Sequence, residues 1–405
     1  MTAPGSVNGG ETAGDGPATA AAPTGEPAEK PAGSATNGTG TTDAPVSVEG
    51  PGESPVDSPA AGTGRRGHRV TISDLARRLD ISKASVSYAL NGRAGVSEET
   101  RRRVLSLAEE LGFHPNSAAV ALSASRTRTI GIVIARDPAL ISTEAFYMRT
   151  LVGIEQYLNE VDSSLLLRLT GEQGEDLDVL RRWSRQGRVD GFILFDEHDD
   201  DPRVATLREL GMPCVVVSSN APLDGVGRLI SSPEETVTLL LDHLTELGHR
   251  DIAHVSGPFT FVHEQLRVQL LQEHARHRGL RITHHEGSYR YEDGAEITRR
   301  VLAAEDRPTA VVLGNDLMAV AALRVATELG WSVPEEVSIV AWDDSPLCEL
   351  ARPGITAVDQ KTMERGRAAA DLLFRIIAGE EGLHLDAPPG ELRPRESTGP
   401  APARP

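Results

Sequence analysis

Val70-Thr71-Ile72-Ser73-Asp74-Leu75-Ala76-Arg77-Arg78-Leu79-Asp80-Ile81-Ser82-Lys83-Ala84-Ser85-Val86-Ser87-Tyr88-Ala89-Leu90-Asn91-Gly92 is the stretch on which the fold turns. Thr71 to Asp74 has the form of a capping box, with Thr71 as the cap. Ile72, Leu75, Ala76 and Leu79 recur at helical spacing, and Asp80-Ile81 reads as a tight turn. Ser82 caps a second helix from Lys83 to about Leu90, whose apolar positions are Val86, Ala89 and Leu90. Lys83, Ala84, Ser87, Tyr88 and Asn91 share another face. A cation, a phenol, small hydroxyls and an amide on one face suit base edges and phosphates. Ser97-Glu98-Glu99 opens a third helix with the buried stripe Val104, Leu107, Ala108 and Leu111, and Gly112 as its C-cap. Two helices joined by a tight turn form the helix-turn-helix pattern. The residues alone equally allow an ordinary solvated three-helix bundle.

Charge separates those readings. The 405-residue chain carries a net −18, which by itself argues against a polyphosphate partner. The balance is −7 over residues 1–64, +6 over 65–128 and −17 over 129–405. A basic segment inside an acidic protein points to a nucleic-acid module. Residues 1–64 contain no aromatic, Leu or Ile residue, so a disordered tail is expected, assigned to 1–66. Cys214 and Cys348, the two cysteines, make neither a disulfide framework nor a zinc cluster, and a reducing cytoplasm is expected. No apolar run is long enough to span a membrane, and no basic patch with an apolar core marks a signal peptide. No cofactor or metal is expected. There is no Walker loop, GxSxG elbow or HExxH motif, and Asp343-Asp344 are adjacent at a strand end, pointing to opposite faces. His243 and His249, six apart, read as helix-end residues.

From Thr129 onward short apolar runs alternate with amphipathic helices. Strands are expected at Ile130–Ala135, Ser164–Leu169, Gly191–Phe195, Cys214–Ser218, Ile252–Ser256, Ala310–Leu313 and Ser338–Trp342. Helices are expected near 144–160, 174–187, 202–210, 233–247, 261–278, 292–304, 316–329 and 362–377. This rhythm predicts parallel sheets covered on both faces, and its length predicts two lobes with a cleft between them.

Val70 to Ala76, Ile81 to Ser87, Leu90-Asn91-Gly92, Val96 to Arg101, Leu111-Gly112-Phe113 and Pro115-Asn116 together resemble the DNA-binding headpiece of the lactose/galactose-repressor family. The likeness extends to about residue 398 through Gly131 to Ile134, Val189 to Ile193, Leu247 to Ile252, Ser256-Gly257-Pro258, Asn315 to Ala319, Ser338 to Asp344, Val358-Asp359-Gln360 and Arg395-Glu396-Ser397.

The resemblance implies an all-α helix-turn-helix headpiece (67–113), a hinge (114–128) and a periplasmic-binding-protein-like α/β core of two doubly wound parallel-sheet lobes (129–398). The expected lobes are 129–221 with 336–358, and 222–335 with 359–398, with crossovers near 221, 336 and 360 and a disordered end at 399–405. It implies a regulator, as a homodimer, on palindromic double-stranded operator DNA, controlled by a small molecule, a sugar or sugar derivative, in the cleft. On DNA it implicates Thr71, Ile72, Ser82, Lys83, Ala84, Ser87, Tyr88, Asn91, Ser97 and Thr100 of the headpiece. In the hinge it implicates Asn116, Ala119 and Leu122, the last as a leucine wedge in the minor groove. In the cleft it implicates Phe146, Tyr147, His263, Arg267, Tyr289 and Asp316. Read without the family, Asp316 is a helix cap and Arg267 a surface residue.

The chain departs from the family pattern with Tyr88 and Val120 where Arg is usual, with Ser231-Ser232-Pro233 in place of an acidic residue or Asn, and with the apolar run Phe259 to Val262. A tyrosine cannot grip guanine bidentately, so the operator half-site is expected to differ from the common one.

Overall fold

The computed structural model describes residues 70–113, 126–171, 174–218, 226–231 and 233–403. The expected tail (1–66) and the hinge residues Asn116, Ala119 and Leu122 lie outside them.

The headpiece forms as its caps dictate. In α1 (Ile72–Leu79) the Asp74 amide donates to Thr71 Oγ1 at 3.3 Å, and the Thr71 amide donates back to the Asp74 carboxylate at 3.0 Å. Asp80 ends the helix at φ 56°, and Ser82 Oγ accepts from the Ser85 amide at 3.0 Å to start α2 (Lys83–Leu90). Ser97 Oγ caps α3 (Glu98–Glu110) from the Thr100 amide at 3.2 Å. The C-cap is Leu111, one residue before the expected glycine; Gly112 (φ +58°) turns the chain so that the Phe113 amide donates to Ala108 O at 2.7 Å. Leu75, Ala76, Val86, Ala89, Val104, Ala108 and Phe113 close one small core.

The core holds two six-stranded sheets. The first contains β1 (Thr129–Ala135), β2 (Ser164–Thr170), β3 (Gly191–Leu194), β4 (Cys214–Ser218), β5 (Gly227–Ile230) and β11 (His384–Asp386), in the order β11-β5-β4-β3-β1-β2, all parallel. The second contains β6 (Asp251–Ser256), β7 (Arg281–Glu286), β8 (Ala310–Leu313), β9 (Ser338–Ala341), β10 (Thr356–Asp359) and β12 (Glu391–Arg393), in the order β12-β10-β9-β8-β6-β7. Only β12 runs antiparallel within it. Both sheets are doubly wound, with strands β3, β8 and β9 buried on both faces.

In chain order the helices of the core are α4 (Pro138–Ile141), α5 (Ala145–Glu160), α6 (Glu175–Arg185), α7 (Pro202–Glu209), α8 (Pro233–Glu246), α9 (Val262–Arg278), α10 (Tyr291–Leu302), α11 (Asp316–Glu328), α12 (Pro346–Leu350) and α13 (Thr362–Ile377). α13 lies so close to α5 that a Cβ at Gly153 would sit 1.9 Å from Met363 O, and one at Gly366 would sit 2.2 Å from Thr150 O. Glycine at both positions lets the two backbones touch.

The expected lobe boundaries need correction. Strands β9 and β10, expected in the first lobe as part of 336–358, pair onto β8 and complete the second sheet. Helix α13, expected in the second lobe, packs on α5 and so belongs to the first. The chain therefore crosses between lobes after β5, after β10 and after β11, near residues 231, 360 and 388; only the crossing at 360 falls where it was expected. The cause is local: β5, β10, β11 and β12 are only three or four residues long and carry no apolar run. Residues 399–403 are not a loose end either: Gly399 O accepts from His249 Nε2 at 3.1 Å, and the Ala401 amide donates to Leu247 O at 2.7 Å.

Candidate functional site

On α2 the sequence-selected face is open. Lys83, Ala84 and Asn91 are exposed, and Tyr88 keeps 40% of its surface accessible. Val86 and Ala89 on the opposite face are buried. Ser87 is half-buried, and the Asn91 amide nitrogen donates to Ser87 O at 2.8 Å. Ile72 is half-buried against the headpiece core, and Thr71, Ser82, Ser97 and Thr100 already serve the helix caps. Each cap leaves backbone N–H groups at a helix start, which is favourable ground for phosphate.

The second candidate site is the cleft. Doubly wound sheets place ligands at the carboxyl ends of their strands. Here both sheets turn those ends toward one cavity. Arg136 follows β1, Phe195 and Asp196 follow β3, and Val217 is the penultimate residue of β4. From the second lobe come Gly314 and Asn315 after β8, and Trp342 and Asp343 after β9. Gln360, at the crossing, and Arg365, on α13 of the first lobe, complete the lining.

Two buried charge networks organise the cleft. In the first lobe Arg136 reaches Glu144 (3.5 Å) and Asp196 (3.4 Å), and the Tyr147 hydroxyl donates to the same Asp196 carboxylate. In the second, Arg267 pairs with the fully buried Glu264, which also accepts from the Tyr289 hydroxyl at 2.5 Å. His263 Nε2 lies 2.9 Å from that hydroxyl. Arg267 also covers the Trp342 ring at 4.2 Å. Across the lobes Arg136 faces the rings of Phe261 (4.8 Å) and Tyr289 (5.3 Å), the Val262 amide donates to Glu197 O at 3.0 Å, and Arg290 pairs with Asp137.

These contacts set the ionisation of the cleft. Burial opposes the charge of Glu264, but Arg267 and His263 outweigh it and hold the carboxyl below its usual range. Asp196 is held down in the same way by Arg136. Burial instead pushes Glu144 up to about 8, against the pull of Arg136. Burial, with Asp316 nearby, pushes Asp343 up to about 7.

Of the residues expected in the cleft, Phe146, Tyr147, His263, Arg267 and Tyr289 all line it. Asp316 does not: it is 2% exposed, and its Oδ1 accepts from the adjacent Leu317 amide at 2.7 Å. Its neighbour Asn315 lines the cavity, caps α11 through the Met318 amide (2.8 Å) and donates to Tyr289 O at 3.0 Å. Tyr289 itself adopts φ 66°, rare for an aromatic residue, and is held there from both ends. Its ring lies against Gly257, where a Cβ would come within 2.0 Å, so only glycine fits. Asp343 and Asp344 point apart as expected: Asp343 enters the cleft, whereas Asp344 pairs with Arg395 at 2.8 Å.

Sequence reasoning missed Arg136, Glu144, Asp196, Trp342, Asp343, Gln360 and Arg365 as lining residues. Arg136, Asp196 and Asp343 had a usable signal, since each follows the carboxyl end of an expected strand. Arg365 lies inside an amphipathic helix and had none.

Comparison with known proteins agrees with this geometry. Residues 71–116 match the bacterial regulatory proteins of the lacI family, and residues 241–398 match the periplasmic binding protein-like domain. The transcriptional regulator CelR of Thermobifida fusca is 33% identical over 78% of this chain and 94% of its own length. Catabolite control protein A of Priestia megaterium is 28% identical over 77% of this chain and 93% of its own length. Among solved structures, a CelR–cellobiose complex superposes with a TM-score of 0.63 at 31% identity, covering 81% of this chain and all of that one. The lac repressor dimer bound to operator, at 24% identity, shares the fold with a TM-score of 0.70 over 82% of this chain and 99% of that one. A capped helix-turn-helix ahead of two doubly wound lobes is thus accompanied by sequence kinship along both parts, and the chain belongs to the lacI family of bacterial regulatory proteins, as a DNA-binding transcriptional regulator.

Proposed function

We propose that the chain is a homodimeric repressor whose affinity for operator DNA is set by a small carbohydrate bound between its lobes. The observation that carries this reading is the cleft, where the strand ends of two separate sheets contribute charged and aromatic side chains to a single cavity. A ligand there touches both lobes at once, so its affinity depends on the angle between them. A conformational change is linked to a ligand only through such differential contact. The expected coupling to operator affinity is about 1–3 kcal/mol.

The lining suits a carbohydrate. Tyr147, Tyr289, Trp342 and Phe146 offer apolar faces, while the Arg267 fork and the Asp343 and Asn315 groups offer donors and acceptors for hydroxyls. The cellobiose bound to the related CelR supports the same class. Each headpiece would lay α2 in the major groove, with Lys83 on phosphate and Ser87, Tyr88 and Asn91 toward bases. Leu122 of the paired hinges would wedge the minor groove. Exposed apolar side chains on α5 (Met148, Val152) and α12 (Leu347, Leu350) favour self-association, Leu350 most of all at 72% exposure. A DNA-bound regulator of this kind works in the cytoplasm.

The test is fluorescence anisotropy of an operator selected from genomic fragments, titrated with protein in the presence of individual sugars. At least one sugar is expected to shift operator affinity about tenfold. A protein that binds a sugar by calorimetry yet holds its operator unchanged would contradict the proposal.

A further inference from the structure

Three guanidiniums line the cleft: Arg136, Arg267 and Arg365. The first two carry their own counter-ions, Asp196 for Arg136 and Glu264 for Arg267. Arg365 differs. Its Nη1 donates to Ser231 Oγ (3.3 Å) and Gln360 Oε1 (3.4 Å), and its Nη2 donates to Pro388 O (3.2 Å). All three partners are neutral, and its Nε is sealed from solvent with no partner among the described residues.

The nearest acid in this network is Asp343, but Gln360 stands between them. Gln360 Nε2 donates to Asp343 Oδ1 at 2.5 Å, while its carbonyl accepts from Arg365. Burial pushes the Arg365 guanidinium down to about 10 against the pull of Asp343 and Asp359, neither of which pairs with it directly, and Arg267 in the same cavity adds to the downward push. A half-buried cation whose direct partners are all neutral is costly, and a ligand that supplies a directly paired anion recovers part of that cost as affinity. A hydroxyl can accept a hydrogen bond from Arg365 but cannot neutralise it.

We propose that Arg365 is a carboxylate anchor and that the ligand of the cleft is a sugar acid, a carbohydrate bearing one carboxylate. The inference rests on the reading of the cleft as a carbohydrate site and narrows it. A monoanion fits better than a phosphate ester because, among the described residues, Arg365 alone of the three lining guanidiniums has no directly paired acid. A second ligand charge would meet Arg267, already paired with Glu264, and the carboxyl of Asp343. Ser231, in the position where an acid or Asn is usual in the family, adds a hydroxyl donor beside Arg365 and no competing charge.

The experiment is calorimetric titration of the full chain with matched pairs: glucose and glucuronate, galactose and galacturonate, cellobiose and cellobionate, with a hexose phosphate as a further arm. At least one acid is expected to bind about tenfold or more tighter than its neutral parent. Arg365→Gln removes that preference, and Arg365→Lys, which keeps the charge, retains part of it. A melting curve verifies that each variant is folded, and the lysine variant serves if the glutamine one is not. Neutral parents binding as tightly as their acids would overturn the inference while leaving the carbohydrate reading intact. So would an acid preference that survives Arg365→Gln, or a hexose phosphate that outbinds every acid. If no member of any pair binds, the carbohydrate reading itself fails and takes this inference with it.

Discussion

The headpiece and the cleft use the same residue type in opposite ways. Most basic side chains of the headpiece face solvent: Arg77 is 77% exposed, and its contact with Asp74 spans a single helical turn. In the cleft Arg136 and Arg267 are buried and joined to acids on the same lobe. An exposed cation costs little and is free to meet a phosphate, with an affinity that salt weakens. A buried pair contributes little net stability, yet removing one partner strands the other. The first region can therefore lose a charge at little cost to stability, whereas the second cannot.

Arg267→Ala should break this contrast most strongly. It leaves Glu264 buried without its cation, and the expected cost is about 3–5 kcal/mol of core stability, measured by denaturant unfolding. A change below about 1 kcal/mol would mean that the pair is not buried as described.

Glu144→Gln comes next. The folded carboxyl, raised to about 8, keeps its proton where the unfolded one, near 4.5, has lost it. Wild type should therefore lose stability relative to the variant as pH rises from about 5 to 8, by at most about 1.4 kcal/mol per pH unit. Arg136, Asp196, Asp343 and Asp316 all act on this group and remain in both proteins. His243, His249, His254, His263, His284 and His285, all lowered, give both proteins the opposite trend through pH 6.5, and the comparison cancels it.

In the headpiece the effects are on recognition. Tyr88→Ala should cost about 1–3 kcal/mol of discrimination among operator variants with little change in melting temperature. An unaltered ranking of operators would remove Tyr88 from base readout. Smallest is Ser82→Ala, which deletes the α2 cap and should lower headpiece stability by about 1 kcal/mol in a thermal melt.

The two regions also differ in how far the sequence discloses them. Thr71, Ser82 and Ser97 act on amides three residues away, so their caps can be read from neighbouring letters. The long strands and helices were equally legible through their periodicity. The cleft is assembled from positions as distant as Arg136 and Arg365, and no short window contains two opposing walls. Family resemblance located five of its lining residues but placed Asp316 where Asn315 stands. The edge strand β7, with the sequence Arg281-Ile282-Thr283-His284-His285-Glu286, escaped notice because an edge need not be apolar. The short strands β11 and β12 escaped as well, and with them the crossover near 388 that assigns α13 to the first lobe.

The central claim is that a ligand held by both lobes governs the grip of the headpieces on DNA. The direct measurement is operator affinity of the full chain with and without a saturating ligand shown to bind by calorimetry, repeated with Arg267→Ala. The account predicts a shift of about tenfold in wild type and its loss in the variant through failed ligand binding. Equal operator affinity with and without bound ligand in wild type would contradict it.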